Sequence, residues 1–401
     1  MTSPFDHVPL APRDPIIGVT EAFQADGRPD KVNLGVGVYY DNDGRVPLLD
    51  CVAEVERRLA EAAGPRGYLP IDGIPDFQRS VQELVFGGNA EPVDAGRVAT
   101  AQAIGGTGAL RAAADFLARF HGAAGVWISR PTWENHRAIF EAAGFEVQEY
   151  PYYDKASHGV DFTTMRDCLA GLEPGSVVVL HVCCHNPTGA DLTLDQWDEV
   201  IELVRDRGLL PVLDMAYQGF AAGLDEDAEP VRRFAARCAP LFVANSFSKN
   251  FSLYGERVGG LSVVATSADE ADRVRSQLKR VIRANYSSPQ THGARIVAEV
   301  LGDAGLRRRW VADLAAMRER VRDMRRKLVE GVAAAAPEAD FDFVLAQNGM
   351  FSYSGLDAAA VARLREEHGI YAVDSGRICV AALNDGNVGR VARAVAGLLP
   401  S

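Results

Sequence analysis

The chain has 401 residues, more than a single hydrophobic core usually supports, so two domains are expected. Its hydrophobic content of 47% and charged content of 24% are ordinary for a globular protein and argue against disorder of the whole chain. The formal net charge of −12 leaves no basic excess to neutralise phosphates, which argues against nucleic acid as a partner, although a few arginines in a cleft could still bind a small anion.

Membrane and secreted proteins are also disfavoured. No stretch approaches the length of a transmembrane helix, and the segment from Met1 to Pro15 lacks the apolar core of a signal peptide. The six cysteines do not resemble a disulfide framework. Adjacent Cys183 and Cys184 cannot readily both face one tetrahedral metal site, so no metal is expected, and they are assigned with His185 to a strand. We therefore expect a cytoplasmic protein with reduced thiols.

The first informative motif is a glycine turn, Gly105-Gly106-Thr107-Gly108, directly before a helical run over residues 109–120. Backbone amides at the start of a helix bind phosphate readily, and glycine lets the backbone approach the ligand. Many glycine-rich turns are only turns, so the motif alone leaves both interpretations open.

The middle of the chain alternates short apolar runs with helical patterns. The runs, rich in Val and Leu, cover residues 126–129, 176–182, 209–213 and 241–244, and helical periodicity covers residues 194–207 and 231–237. This alternation predicts a mostly parallel sheet covered by helices on both faces. Ligands of such sheets bind beyond the carboxyl ends of the strands, where His185, Asp214 and Ser246 are expected.

A lysine segment follows, Ser246-Phe247-Ser248-Lys249-Asn250, with Arg257 eight residues after the lysine. A lysine in a loop is most often simply solvated. Here the serines and the arginine could bind a phosphate group while placing an amine beside it. A phosphorylated aldehyde cofactor needs both an anchor for its phosphate and a nucleophilic amine at its aldehyde.

Residues 303–334 are charge-rich, lack proline and contain the run Leu306-Arg307-Arg308-Arg309, which predicts a long helix with a solvated face. Surface solvation explains these arginines more simply than an anion site does. Shorter strand and helix patterns continue to Leu399, so a second domain is placed there, joined by about the first forty residues.

Two more motifs complete a recognisable order: Asn186-Pro187-Thr188-Gly189 and Ser375-Gly376-Arg377. From Asp14 to Val391 the chain resembles the aspartate and aromatic amino acid aminotransferases, which are fold type I pyridoxal-phosphate enzymes. The resemblance implies an α/β fold, with a mostly parallel sheet in a large cofactor-binding domain (48–305) and a smaller α/β domain (1–47 with 306–401).

The resemblance implies pyridoxal 5′-phosphate as the cofactor. Lys249 matches the lysine that carries it as a Schiff base and moves the substrate proton. Asp214 matches the carboxylate that keeps the ring nitrogen protonated, and Tyr217 and Asn186 match the groups that hydrogen-bond the ring oxygen. The other implied cofactor contacts are the stacking Trp133 and the phosphate ligands Gly106, Thr107, Ser246, Ser248, Arg257 and, from the partner subunit, Tyr68. His136 and His181 match residues around Asp214.

The implied substrate site centres on Arg377, which matches the arginine that binds the α-carboxylate with two parallel hydrogen bonds. Arg283 matches an arginine that the neighbouring subunit presents to a side-chain carboxylate. A homodimer with shared active sites is therefore implied. Asp374 departs from the pattern, since a small apolar residue is expected there, and a carboxylate facing Arg377 would weaken substrate binding. The remaining substrate contacts are Gly37, Trp133, Asn186 and Phe351.

The implied reaction is a ping-pong transfer of an amino group between an aromatic or dicarboxylic L-amino acid and a 2-oxo acid such as 2-oxoglutarate. Residues 245–248, 253–256 and 286–289 look closer to the aromatic subgroup, in part because Ser288 stands where aspartate enzymes commonly have Asn. The alternatives are a strict aspartate aminotransferase, a pyridoxal-phosphate lyase and a non-catalytic binding relative. The resemblance also predicts cis bonds at Arg130–Pro131 and Asn186–Pro187.

Overall fold

The computed structural model describes residues 3–11, 15–65, 67–122 and 124–399. Asp14, the predicted start of the resemblance, lies outside the described residues. The helices are α1 (Pro15–Ala25), α2 (Asp50–Glu61), α3 (Pro75–Phe86), α4 (Glu91–Asp94), α5 (Gly105–Phe120), α6 (Asn135–Ala142), α7 (Phe162–Ala170), α8 (Leu194–Arg207), α9 (Leu224–Arg237), α10 (Ala268–Asn285), α11 (His292–Gly302), α12 (Ala304–Ala335), α13 (Ala358–His368) and α14 (Val388–Ala396).

The strands are β1 (Val32–Asn33), β2 (Val98–Ile104), β3 (Val126–Arg130), β4 (Val147–Pro151), β5 (Tyr153–Asp154), β6 (Gly159–Val160), β7 (Val177–His181), β8 (Leu210–Met215), β9 (Leu241–Ser246), β10 (Val258–Val264), β11 (Phe351–Tyr353), β12 (Ile370–Tyr371) and β13 (Arg377–Cys379). Seven of them form the central sheet in the order β2-β10-β9-β8-β7-β3-β4. Strand β10 is antiparallel to both of its neighbours, and the other pairs are parallel. The predicted α/β class with a mostly parallel sheet is confirmed.

Both faces of this sheet are buried, as the apolar runs predict. In β7, Val177 and Val179 belong to one hydrophobic cluster, which includes Leu110 of α5. Val178 and Leu180 point to the opposite face and belong to the larger cluster. Because successive side chains of a strand alternate between faces, a run that is apolar at every position needs cover on both sides.

Helix boundaries follow local signals. Helix α8 has the predicted bounds; Thr193 and Gln196 form a capping box at its start, and Gly208 ends it with a positive φ of 64°. Helix α5 begins four residues before the predicted run, so the glycine motif forms its first turn. Helix α9 begins at Leu224, well before the predicted residue 231, because acidic side chains in its first turn suit the positive end of the helix.

The assignment of Cys183, Cys184 and His185 to a strand is wrong. Strand β7 ends at His181, and Cys184 has a positive φ of 53°, which a strand does not accommodate. The carboxylate of Asp191 accepts the backbone N–H groups of Cys184 and His185, each at 2.9 Å, in place of a strand partner.

The C-terminal part is built on α12, whose 32 residues confirm the predicted long helix, with Arg308 exposed on its solvated face. Strand β1 pairs with β12, Val32 opposite Ile370, and so joins the N-terminal and C-terminal segments. The division at residues 48 and 305 stays a prediction. Within the described residues, no helix combines the length and apolar character needed to cross a membrane.

All six cysteines are unpaired. Cys168 is half-buried, and the other five, among them Cys51 in α2 and Cys379 in β13, are buried.

Candidate active site

A cavity of about 860 Å³, including its open mouth, lies beyond the carboxyl ends of β8 and β9. Every residue assigned to the cofactor or substrate from the sequence lines it except Tyr68 and Arg283, while His136 and His185, which were expected near it, do not line it. The lining residues are Gly37, Gly106, Thr107, Trp133, His181, Asn186, Asp214, Ala216, Tyr217, Ser246, Ser248, Lys249, Tyr254, Arg257, Phe351 and Arg377.

One end of the cavity is built to hold an anion. The start of α5 has no side-chain cap, which leaves the first-turn amides of Gly106 and Thr107 available. Arg257 lies directly against this turn. A Cβ atom added to Gly105 would be only 2.7 Å from the Arg257 Nη2 atom. Its Nη1 atom donates to Ser248 Oγ at 3.3 Å. A helix N-terminus, hydroxyl groups and a guanidinium group together fit a phosphate.

Asp214 is buried at the floor of the cavity, where His136 Nε2 donates to its Oδ2 atom at 2.9 Å. Burial alone would raise the pKa of this carboxyl, but the hydrogen bond from His136, with the nearby His181 and Lys249, outweighs burial and lowers the pKa. Asp214 is therefore a carboxylate at neutral pH. Among the described residues its Oδ1 atom accepts no hydrogen bond, which suits a protonated ring nitrogen.

A metal site is the other chemistry that these groups could support. The ligand atoms of His136, His181 and Asp214 lie within 4.8 Å of one another and form the one such cluster of His, Cys, Asp and Glu in the described part of the chain. However, the His136 nitrogen already donates to Asp214, and its other ring nitrogen contacts Thr132 Oγ1 at 2.8 Å. The cluster is therefore interpreted as a hydrogen-bonded support of the carboxylate.

Lys249 is half-buried, and its Nζ atom lies 4.9 Å from the centre of the Tyr217 ring. Removal from water lowers the pKa of this amine to about 8; Arg257 adds to the effect and Asp214 opposes it. A sizeable fraction of the amine is therefore neutral near physiological pH, as nucleophilic attack on an aldehyde requires. Burial also raises the pKa of the Tyr217 phenol, which stays a hydrogen-bond donor.

Arg377 is 2% exposed, and the described residues place no carboxylate within 4.0 Å of it. Its Nη2 atom donates to the carbonyl oxygen of Gly35 at 2.6 Å, and its Nη1 atom donates to Asn186 Oδ1 at 3.2 Å. Its Nε atom has no hydrogen-bond partner in the described part of the chain, and its Cζ atom lies 4.4 Å from the centre of the Phe351 ring. A buried cation of this kind favours an anionic ligand.

Asp374 does not compete for that role. Its side chain is 72% exposed and pairs at 4.0 Å with Arg365. The concern that it weakens substrate binding through Arg377 is therefore not supported.

Two predicted residues lie apart from the cavity of their own chain. Tyr68 is 95% exposed, and Arg283 is exposed with its Nη1 atom 2.5 Å from Ser287 Oγ. Their roles stay predictions. Conversely, Ala216 and Tyr254 line the cavity without having been assigned a role. Tyr254 stands three residues before Arg257, and that spacing on the lysine segment was the available signal.

Both predicted cis bonds, Arg130–Pro131 and Asn186–Pro187, are confirmed. A third, Ala239–Pro240, was not predicted.

Comparisons with known proteins agree with this site. The family model described as aminotransferase class I and II matches residues 29–395. An aspartate aminotransferase of Pseudomonas aeruginosa is 56% identical over 98% of this chain and 99% of its own. A crystal structure of an aromatic-amino-acid aminotransferase from Burkholderia pseudomallei, covalently bound to pyridoxal phosphate, is 59% identical with a TM-score of 0.98 and full coverage of both chains (100% and 100%). An aromatic amino acid aminotransferase from Psychrobacter sp. B6, cocrystallised with aspartic acid, is 47% identical with a TM-score of 0.97 over 98% of this chain and 99% of its own.

Proposed function

Because the chain belongs to the aminotransferase class I and II family and is thus a pyridoxal-phosphate-dependent transaminase of fold type I, we propose that it takes both aromatic and dicarboxylic L-amino acids, with aromatic substrates favoured. The amino group passes to a 2-oxo acid such as 2-oxoglutarate. The single observation that carries the substrate site is Arg377, a buried guanidinium group that, among the described residues, has a free Nε atom and no acid beside it. A substrate α-carboxylate supplies that missing anion.

Bound pyridoxal phosphate supplies an electron-accepting ring that stabilises negative charge at the substrate α-carbon. Lys249 is proposed to hold the cofactor covalently and, once released as a free amine, to move the proton at the α-carbon. Asp214 holds the proton of the ring nitrogen, while Tyr217 and Asn186 orient the ring through its oxygen atom. Gly106, Thr107, Ser246, Ser248 and Arg257 are proposed to hold the phosphate, and Trp133 to cover the ring.

Arg377 fixes the α-carboxylate, and Gly37 and Phe351 shape the space beside it. A Cβ atom on Gly37 would lie 2.6 Å from the Phe351 ring, so this close backbone approach requires glycine. The aromatic and dicarboxylic proposal is supported by the two aromatic enzymes of similar structure, one of them cocrystallised with aspartic acid. A strict aspartate aminotransferase is the second candidate, which the Pseudomonas aeruginosa relative favours.

The active enzyme is proposed to be a homodimer in which Tyr68 and Arg283 reach the cavity of the partner subunit. Their exposure on their own chain supports this, because neither side chain lines the local cavity. A cytoplasmic location is proposed on the strength of the six unpaired cysteines, which suit a reducing compartment.

A half-reaction panel tests the proposed substrates. The holoenzyme is mixed with Asp, Glu, Tyr or Phe, and the change in cofactor absorbance gives kcat/KM for each amino acid. We expect conversion by all four, with Tyr and Phe at least equal to Asp, and no conversion by Lys249→Ala. Aromatic values below about one hundredth of the aspartate value, a difference of roughly 3 kcal/mol, would favour the strict aspartate enzyme instead.

A further inference from the structure

Several arginines of helix α12 donate to backbone carbonyls of the segments that carry cavity residues. Arg318 donates to Gly219 O at 3.0 Å and Arg322 to Ala221 O at 2.6 Å, in the loop that follows Tyr217. Arg325 donates to the segment that carries Phe351. These bonds tie the helix to the substrate site without any contact with the cavity itself.

Arg325 differs from an ordinary helix arginine in its burial. It is 3% exposed, and no carboxylate lies within 4.0 Å of it among the described residues. Its Nη2 atom donates to Gly349 O at 2.7 Å and to Phe351 O at 3.2 Å, and its Nε atom lies 3.4 Å from Ser352 Oγ. Burial lowers the pKa of this guanidinium group to about 10, so it stays charged at neutral pH. A buried cation without an acid partner destabilises the fold unless its hydrogen bonds or another role compensate for the water that it has lost.

The segment that Arg325 holds supports the α-carboxylate site from two sides. Strand β11 pairs with β13, so that Phe351 lies opposite Cys379 and Tyr353 lies opposite Arg377. The Phe351 ring also covers the Arg377 guanidinium group. Displacement of β11 would therefore move both the strand that carries Arg377 and the ring beside it.

The same segment also supports Asn186. The backbone N–H of Asn348 donates to Gly189 O at 2.7 Å, and a Cβ atom on Gly189 would lie 2.8 Å from Phe351 O. The turn that begins at Asn186 is thus packed against the segment, and Asn186 in turn accepts from Arg377.

We propose that Arg325 is a positioning residue for recognition of the substrate α-carboxylate. It does not touch the substrate. It fixes the backbone at Gly349 and Phe351, and through β11 it sets the direction of the Arg377 guanidinium group. This inference rests on the proposed role of Arg377 and adds a residue on a distant helix to it.

The test compares Arg325→Met and Arg325→Lys with Arg326→Met in the holoenzyme. Arg326 is the next residue of α12, is exposed and pairs with Glu330 at 2.9 Å, so it is the matched control. Each protein is given phenylalanine and phenethylamine, which share the ring and the amine but differ in the α-carboxylate. Binding of 3-phenylpropanoate, followed by calorimetry, measures carboxylate affinity without turnover.

We expect Arg325→Met to lower kcat/KM for phenylalanine and the affinity for 3-phenylpropanoate by about 10- to 100-fold, the scale of one lost charged hydrogen bond. The slower reaction of phenethylamine should change by less than about threefold, because it makes no use of Arg377. Arg325→Lys should lie between, since lysine keeps the charge but lacks the planar fork that reaches both carbonyls. Arg326→Met should match wild type.

Equal losses for phenylalanine and phenethylamine would overturn the proposal, because they indicate a general structural role. Values for Arg325→Met equal to those of Arg326→Met would overturn it as well. If Arg325→Met does not fold, the ratio measured with Arg325→Lys decides. A wild-type holoenzyme that converts no amino acid would instead contradict the proposed function, and 3-phenylpropanoate binding would still decide the role of Arg325.

Discussion

Lys249, Asp214 and Arg377 line one cavity, and each owes its chemistry to the groups beside it. The Lys249 amine has a pKa of about 8 and Asp214 a lowered pKa, while Arg377 has no acid beside it among the described residues. A nucleophile, a carboxylate and a cation can share one small space because each has a different proposed partner: an aldehyde, a ring nitrogen and a substrate carboxylate.

The lowered pKa of Lys249 predicts how fast the apoenzyme captures pyridoxal phosphate as pH changes. Only the neutral amine attacks, and it is the form that predominates above the pKa of about 8. The rate should therefore rise about tenfold per pH unit below pH 8 and level off above it. Stopped-flow absorbance between pH 7 and 10, where most of the cofactor phosphate is doubly ionised, measures this. A rate that still rises tenfold between pH 9 and 10 would contradict the prediction, because it would mean that Lys249 has the pKa of an ordinary lysine.

The two substrate arginines, Arg283 and Arg377, should differ in how their replacement affects aspartate and phenylalanine. Arg283→Leu is expected to lower kcat/KM for aspartate by about a few hundred- to a few thousand-fold, because a buried side-chain carboxylate loses its partner at about 3–5 kcal/mol. Phenylalanine should be affected far less, because its side chain has no carboxylate for Arg283 to bind. Arg377→Leu should damage both substrates. Equal losses for aspartate and phenylalanine in Arg283→Leu would contradict its assignment.

At the residue scale, the sequence was sufficient where a motif carried the chemistry. Lys249, Arg257 and the glycine turn have a spacing that points to a phosphate and an amine, and the structure brings them into one cavity. Arg325 could not be predicted in the same way. Helical periodicity distinguishes the faces of α12, but only the packed structure shows that a buried position on it holds an arginine bonded to Gly349 and Phe351.

Among the elements, the turn from Asn186 to Gly189 is tightly constrained. Gly189 has a positive φ of 70°, and a Cβ atom there would lie 2.8 Å from Phe351 O and 2.9 Å from Gln347 Cβ. Gly44 has a similar φ of 75°, but a Cβ atom at that position would meet no described atom within 4 Å. The two glycines therefore separate backbone strain from steric contact.

Gly189→Ala should lower the free energy of unfolding by about 2–5 kcal/mol, and Gly44→Ala by about 1–2 kcal/mol. The second value reflects the left-handed backbone alone, and the first adds the contact with Phe351 and Gln347. Urea unfolding of the two variants measures the difference. Gly189→Ala should also lower turnover, since the turn carries Asn186. The same loss of stability in both variants would show that the turn relaxes around the added methyl group and that the contact with Phe351 and Gln347 adds no destabilisation.

Elements with a clear period were predicted well, and those set by long-range pairing were not. Helix α8 matched because its capping box and final glycine are local signals. The antiparallel direction of β10 depends on its partners β2 and β9, which no local pattern specifies. Cys184 is not in the predicted strand, because its backbone N–H donates to the carboxylate of Asp191, seven residues later, and not to a neighbouring strand.

At the scale of the whole molecule, the proposed dimer predicts complementation between inactive chains. A Tyr68→Ala/Arg283→Ala chain and a Lys249→Ala chain should each be inactive alone on aspartate. Mixed dimers should recover activity, because one of their two cavities holds an intact lysine and intact partner residues. Mixing after reversible unfolding, followed by an aspartate assay, measures the recovery. A fully active monomer at assay concentration would contradict the proposal.

The overall architecture could be predicted because alternating strands and helices leave few ways to bury every apolar face. The subunit arrangement could not be worked out from one chain, since Tyr68 is exposed there and the single chain does not show what it contacts in a dimer. The division into two domains likewise depends on relative motion, which the pairing of β1 with β12 does not measure.

The unpaired cysteines give the molecule its own set of chemical probes. An alkylating reagent reaches a buried thiol only when the surrounding structure opens. Cys51 would report on α2, Cys184 on the loop after β7 and Cys379 on β13, while the half-buried Cys168 would react first. The order of alkylation in the native protein therefore ranks how often each of these regions opens, with no engineered label.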